Sequence, residues 1–295
     1  MSLFLQQHHT RCTFQTADSW VILSPIEQSI KQKIESVGKP LKEWDVQINY
    51  GIKTGCNEAF IINEDKRNEI LSKCTDDNER HRTEEIIRPI LRGRDIKRYG
   101  YEWAELYLIA TFPACHYDIE QYPALKNYLL SFGKERLEQT GQTYLVDGQK
   151  IKARKKTNNK WFETQDSISY WDLFFQPKIC WKAVGRRLAF ALVKPGIFLT
   201  SPASFISAGN FNELILAYLC SSIGTYFFYQ NSDTTGAGDI MLNIQSLIKF
   251  PIVPECNENL LKAIKSKDDD EIDNAIFDMY KFTLEERTFI YSQIS

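Results

Sequence analysis

Apolar residues in this chain come in short runs, and that pattern constrains its fold more than any other feature. Residues 46–50 alternate apolar and polar, while 59–62, 106–112, 178–184, 188–194 and 203–207 are compact runs bounded by Gly, Pro or charged residues. Runs of this length and bounding predict strands. Helical stretches are predicted between them, at 64–73, 83–91 and 118–138, the last broken at Pro123. A further helix opens after Ser24, a good N-cap, with Pro25 at the first helical position and Glu27 completing a capping box. Ile26, Ile30 and Ile34 give it one apolar face.

The longest apolar run, 215–228, is interrupted by Ser221, Ser222, Gly224 and Thr225. It is too short for a membrane span and suits a buried helix over about 211–229. Glycines at 51 and 55 between the first two strands predict a β-hairpin with a wide tip. Residues 139–160 read as a polar loop, and 231–239 as another with glycines. Pro251 and Pro254 mark a domain edge. Beyond them Phe277, Tyr280, Phe282, Leu284, Phe289 and Ile290 supply the apolar face of two closing helices. The expected class is α+β: a twisted mixed or antiparallel sheet with peripheral helices and a helical C-terminal tail.

The chain holds seven Cys, an odd number with no CxxC pair, so neither a disulfide framework nor a zinc ribbon is expected. No basic region followed by an apolar core opens the sequence. A cytoplasmic protein with reduced thiols and no membrane partner is the reading.

Catalytic constellations are not readable. Gripping a flipped base for amino methylation takes an Asn/Asp-Pro-Pro-aromatic tetrapeptide, and the chain has no Pro-Pro. Its one Gly-x-Gly, Gly236-Ala237-Gly238, follows a helix where a cofactor turn follows a strand. Two acid-x-Lys triplets, Glu64-Asp65-Lys66 and Asp95-Ile96-Lys97, lack the upstream Pro-Asp partner of a metal-dependent nuclease. His8, His9, His81 and His116 show no metal-ligand spacing apart from the adjacent pair. No catalytic or metal-binding residue is assigned.

Charge is the informative property. The net value of −2 excludes a uniformly basic nucleic-acid binder, but partners feel local potential. The segment 150–160 reads KIKARKKTNNK. Lys150, Lys152, Arg154, Lys155, Lys156 and Lys160 stand in it without an acid, together with Asn158 and Asn159. Lys and Arg there suit phosphates, and Asn suits adenine edges. Trp161-Phe162 follows as an apolar anchor or stacking face. The segment 88–98, RPILRGRDIKR, carries Arg92, Arg94, Lys97 and Arg98 around Gly93. Asp95 is placed to pair with Arg92 or Arg98 and hold a guanidinium fork. Lys53 and Thr54 sit between Gly51 and Gly55, where small residues permit close backbone approach. A solvated surface loop is the plain alternative for each segment.

Two of these stretches carry a family resemblance. Residues 49–62, NYGIKTGCNEAFII, and 87–99, IRPILRGRDIKRY, followed by Tyr107 to Thr111, resemble the TaqI-like C-terminal specificity domain. Tyr122-Pro123-Ala124-Leu125, Trp161-Phe162-Glu163, Pro177-Lys178-Ile179, Leu216-Ala217-Tyr218-Leu219 and Phe250-Pro251-Ile252 are similar in order, and 272–286 is similar to the tail of such enzymes.

The resemblance implies a target-recognition domain of an adenine-specific DNA methyltransferase or fused type II restriction–modification enzyme. In these, a methyltransferase domain comes first and the specificity domain clamps the other side of the duplex. The implied divisions are 1–23, the end of a linker from a missing methyltransferase domain; 24–254, the recognition domain; and 255–295, the tail. The implied partners are double-stranded DNA and a methyltransferase domain in the same polypeptide or another subunit. No cofactor is expected in this chain; S-adenosylmethionine, and magnesium if a nuclease is fused, belong to the missing domains. Two rival readings stand beside it: an assembly module of a restriction or phage-defence complex, and a nuclease with an unrecognised site.

Overall fold

A computed structural model describes residues 23–186 and 188–294. The linker reading of the first residues and the His8-His9 pair lie outside this range. The chain packs as two units, Val46–Asn212 and a second formed by Met1–Asp45 with Glu213–Ser295. The segment 255–295 therefore shares a unit with the helix that follows Ser24.

The unit Val46–Asn212 is built on two four-stranded sheets, in agreement with the expected α+β class. The strands of these sheets and of a separate hairpin are β1 (Gln47–Tyr50), β2 (Ile61–Asn63), β3 (Ile87–Leu91), β4 (Leu106–Ile109), β5 (Thr143–Val146), β6 (Gln149–Lys152), β7 (Lys178–Trp181), β8 (Phe190–Val193), β9 (Phe198–Leu199) and β10 (Ser204–Ser207). One sheet runs β8-β7-β10-β1 and is antiparallel throughout. The other runs β9-β3-β4-β2 and is mixed, since β9 lies parallel to β3 while β4 is antiparallel to β3 and β2. β5 and β6 form a separate hairpin.

Aromatic side chains fill the space between these elements. Phe174 stacks on Phe198 at 4.5 Å and meets Phe205 at 4.9 Å, all three buried. Burying each ring stabilises by roughly 1.5–3 kcal/mol. Lys178 is buried in this unit too, and its ammonium donates to the carbonyls of Phe174, Gln176 and Lys194.

Several local expectations are corrected. Segments 46–50 and 59–62 do not form a hairpin. β1 pairs with β10, with Tyr50 opposite Ser204, whereas β2 pairs with β4, with Ile61 opposite Leu108. A helical turn, Asn57–Phe60, separates the two strands and buries Ala59 and Phe60. The helix expected at 83–91 ends early. Asp76 caps the helix Asp77–Ile86 by accepting from the Glu79 N–H, and the chain then extends into β3. Pro89 and the β-branched Ile86, Ile87 and Ile90 favour that extended form.

The break expected at Pro123 is present, with the turn Ile119–Gln121 before it and the helix Pro123–Leu130 starting at the proline, and a second break at Gly133, φ 84°, separates that helix from the turn Lys134–Leu137. The polar loop 139–160 contains the β5–β6 hairpin.

Gly51 is fixed by close backbone approach. Its N–H donates to the Ala203 carbonyl at 2.8 Å. A Cβ there would lie 2.5 Å from the Thr200 carbonyl carbon and 2.8 Å from the Ala203 oxygen. Gly51→Ala is expected to destabilise the protein by about 1–3 kcal/mol in urea unfolding. An unchanged midpoint would contradict this packing.

Glu79 ties the helix Asp77–Ile86 to the helix Pro123–Leu130. One carboxylate oxygen accepts from the Thr75 N–H and hydroxyl at 2.6 and 2.8 Å, and the other from the Ala124 N–H at 2.7 Å. Burial opposes the charged form, but these donors outweigh it and hold the pKa below the ordinary 4.5. A depressed folded pKa contributes stability that is present above the unfolded value and lost as pH falls through the folded one. Glu79→Gln is expected to cost about 1–3 kcal/mol at pH 7. It should also flatten the acid limb of a stability-versus-pH curve below about pH 5; a limb as steep as before would contradict the assignment.

In the second unit the capping box is present: the Ser24 N–H and hydroxyl bind Glu27, and Ser24 accepts from the Glu27 N–H. The helix Pro25–Val37 buries Ile30 and Ile34. Lys33 and Ser29 both donate to Glu286 at 2.6 Å, joining it to the helix Leu284–Ile294. Lys39–Pro40 pairs with Pro251–Ile252. The helix expected over 211–229 is two, Asn212–Cys220 and Ser222–Asn231, because Ser221 is an N-cap that accepts from the Gly224 N–H. The two closing helices are Asp269–Met279, which carries Phe277, and Leu284–Ile294, which carries Leu284, Phe289 and Ile290, and a further helix, Glu258–Ser266, precedes them.

No helix among the described residues is long and apolar enough to cross a membrane. The described cysteines are free thiols.

Candidate nucleic-acid interface

Three backbone segments lie side by side and set the geometry of the site. Thr200 donates its N–H to Leu91 at 2.9 Å; Ile52 donates to Leu199 at 2.7 Å, and Ser201 to Ile52 at 3.0 Å. Ile52 and Thr200 form a parallel bridge, and β9 is parallel to β3. The chain therefore leaves Leu91, Thr200 and Ile52 in one direction. Two of the basic segments begin at this point, Arg92 after Leu91 and Lys53 after Ile52. Their backbones start about 10 Å apart, two interstrand spacings.

The chain just past the third basic segment, at Gln165 and Asp166, is fastened to Lys53. The Lys53 carbonyl accepts from the N–H groups of Gln165 and Asp166, at 3.1 and 3.3 Å, and the Lys53 N–H donates to the Asp166 carboxylate at 3.2 Å. The Gly51–Gly55 loop and the basic stretch 150–160 thus belong to one loop system.

Arg154 is the centre of that system. It is 5% exposed. Its guanidinium donates to the carbonyls of Leu137 (2.7 Å), Thr54 (2.8 Å), Glu163 (2.8 Å) and Trp161 (2.6 Å), and it lies 5.0 Å over the Phe60 ring. Burial pulls its pKa down to about 10, which leaves it charged at neutral pH. Gly55, at φ 78°, passes close to its stem.

Two more predicted residues are structural in the same way. Thr54 is buried, donates to the Asn57 side chain at 2.7 Å and accepts from the Cys56 N–H. Asn159 donates its amide to the carbonyls of Thr164 and Gln165.

The remaining cations of the system face solvent. Lys53, Lys150, Lys152, Lys155, Lys156 and Lys160 are exposed, as is Asn158. Arg154 thus holds three strips of chain in place while the lysines on either side of it point outward. Lys160 also covers the Phe162 ring at 5.5 Å.

In the 92–98 loop Asp95 pairs with Arg92. One carboxylate oxygen accepts from the Arg92 N–H and Nε, and the other from a terminal guanidinium nitrogen at 2.8 Å. Burial opposes the Asp95 charge, but the Arg92 donors hold its pKa below the ordinary range. This carboxylate sets the orientation of a guanidinium. Arg94, Lys97 and Arg98 are exposed, and Lys97 pairs with Glu102 at 3.4 Å. The Lys182 stem packs beside Gly93, which brings to this loop a cation that the sequence reading passed over. It opens the short stretch KAVGRR, residues 182–187, whose three cations without an acid were a signal in the sequence.

Residues 88–252 match the model of the TaqI-like C-terminal specificity domain. Among solved structures, the type IIL restriction–modification enzyme MmeI in complex with DNA is similar at a TM-score of 0.51 and 13% identity, over 87% of this chain and 36% of that one. The type IIG restriction endonuclease BpuSI is similar at a TM-score of 0.48 and 14% identity, over 87% of this chain and 33% of that one. The chain spans about a third of the length of these enzymes. No curated protein matches it.

Proposed function

The chain belongs to the TaqI-like C-terminal specificity domain family, and from that premise we propose that it is the double-stranded DNA recognition module of a restriction–modification enzyme. One observation carries the reading: exposed lysines are presented on a loop system whose strands of chain a buried arginine ties together through four carbonyls. Rigid presentation lowers the ordering cost of binding, and local positive charge attracts phosphate despite the net charge of −2. The fold shared with a DNA-bound restriction–modification enzyme agrees with it.

In this reading Lys53, Lys150, Lys152, Lys155, Lys156 and Lys160 set register on phosphates. Arg92, Arg94, Lys97, Arg98 and Asn158 stand next to them to meet base edges or phosphates. Arg154, Thr54 and Asn159 act from beneath by shaping the loops. A methyltransferase domain, in the same polypeptide or a partner subunit, flips and methylates the adenine and holds the S-adenosylmethionine.

Selection from a pool of random duplexes tests the proposal. Retained DNA is expected to share a short common sequence. A retained pool as random as the input would show that this chain does not read sequence.

A further inference from the structure

The β5–β6 hairpin stands apart from both sheets, and its outer face has a composition that loop-borne phosphate contacts do not require. Its strands pair with each other and with no other strand among the described residues. β6 packs on the helical turn Lys134–Leu137. The half-buried residues Tyr144, Val146 and Ile151 point to one side, and the Tyr144 hydroxyl meets Thr140 at 3.1 Å. The other side is exposed and carries Thr143 opposite Lys152 and Leu145 opposite Lys150. Leu145 is 73% exposed. The strands are joined by Asp147 at φ 50° and Gly148 at φ 79°, a tight turn with both residues left-handed.

We propose that this hairpin enters the DNA major groove as a two-stranded ribbon, with Leu145 and Asp147 reading base edges and Lys150 and Lys152 meeting the flanking phosphates. The proposal rests on the DNA-recognition reading above and assigns to it a groove and two specificity residues.

The dimensions agree. The major groove is about 12 Å wide and 8.5 Å deep and admits a two-stranded ribbon. Strands of four residues span roughly 13 Å, enough to bring the turn to the base edges. The chemistry agrees as well. A carboxylate at a phosphate surface is repelled, but at a base edge it accepts from the cytosine amino group, and an exposed leucine finds its apolar partner in the thymine methyl. Lys152 lies further back along the ribbon, continuing into Lys155 and Lys156 towards a phosphate wall, and Lys150, beside Leu145, reaches outward on its long stem.

Asp147→Asn and Leu145→Thr test this on the full chain. Asn tolerates the left-handed conformation that Asp147 adopts, and Thr suits a strand, so both keep the hairpin. Selection from random duplexes and Kd on the selected site are the readouts, with thermal unfolding as the check on folding. Each variant is expected to lose about tenfold or more on the wild-type site and to change the preferred base at one or two positions, while unrelated duplex binds Leu145→Thr as it binds wild type and binds Asp147→Asn at least as tightly, since a negative charge is gone. Lys150→Gln with Lys152→Gln is expected to weaken all duplexes alike.

If wild type selects a sequence and both single variants select the same one with the same affinity, the ribbon assignment is overturned while the recognition reading stands. If wild type selects no sequence, both fall.

Discussion

Replacing Arg154 with Met is expected to lower the unfolding free energy by about 3–5 kcal/mol, because buried carbonyls that lose a charged donor each cost about 1–3 kcal/mol and relax only in part. Four carbonyls, from Leu137, Thr54, Glu163 and Trp161, depend on this one guanidinium. A unit of this size should lose about 10 °C or more in Tm. Lys is expected not to rescue it, since a compact ammonium cannot span four acceptors that a planar fork reaches. Lys155→Ala, one residue along the chain but exposed, is expected to leave Tm unchanged within about 1 °C. Equal effects at 154 and 155 would contradict the division between a buried organiser and a solvent-facing cation.

The second large effect is on binding. Lys155→Glu with Lys156→Glu changes the local charge by four units on an exposed strip. Each unit charge near a phosphate in water is worth up to ~1 kcal/mol, so duplex affinity is expected to fall about a hundredfold at moderate salt. The slope of log K against log salt should drop by about 1.8, two phosphates at ~0.9 each. Tm is expected to hold. Wild-type affinity in the folded double variant would remove this loop from the interface.

Much of the architecture was legible because local signals agreed with the global fold. Ser24-Pro25-Ile26-Glu27 gave a helix start whose capping box is present to the atom, and the apolar runs near 178, 190 and 204 are strands of one sheet. The failures have physical causes. Strands near 46–50 and 59–62 look like hairpin partners only because they are neighbours in sequence; their true partners, β10 and β4, are distant, and no local residue encodes that pairing. The hairpin within 139–160 was readable. Asp147-Gly148 is a strong tight-turn signal that follows the strand-forming residues Tyr144-Leu145-Val146.

The candidate site divided along burial, which composition does not reveal. Arg154 and Lys155 are equivalent as letters, and only the surrounding carbonyls distinguish them. The Arg92–Asp95 pair was legible, because three residues of separation across a glycine turn place fork and carboxylate together. Thr54 and Asn159 carried no signal that their side chains turn inward.

The central claim is that this chain grips duplex DNA through an electrostatic face of its own. The most direct test is the Kd of the wild-type chain for a mixed-sequence duplex at several salt concentrations from about 50 to 200 mM, the range over which phosphate-contacting proteins lose affinity steeply. The account predicts binding at low salt that weakens linearly on a log–log plot, with a slope of several units. Absence of binding at the lowest salt, or binding indifferent to salt, would contradict it.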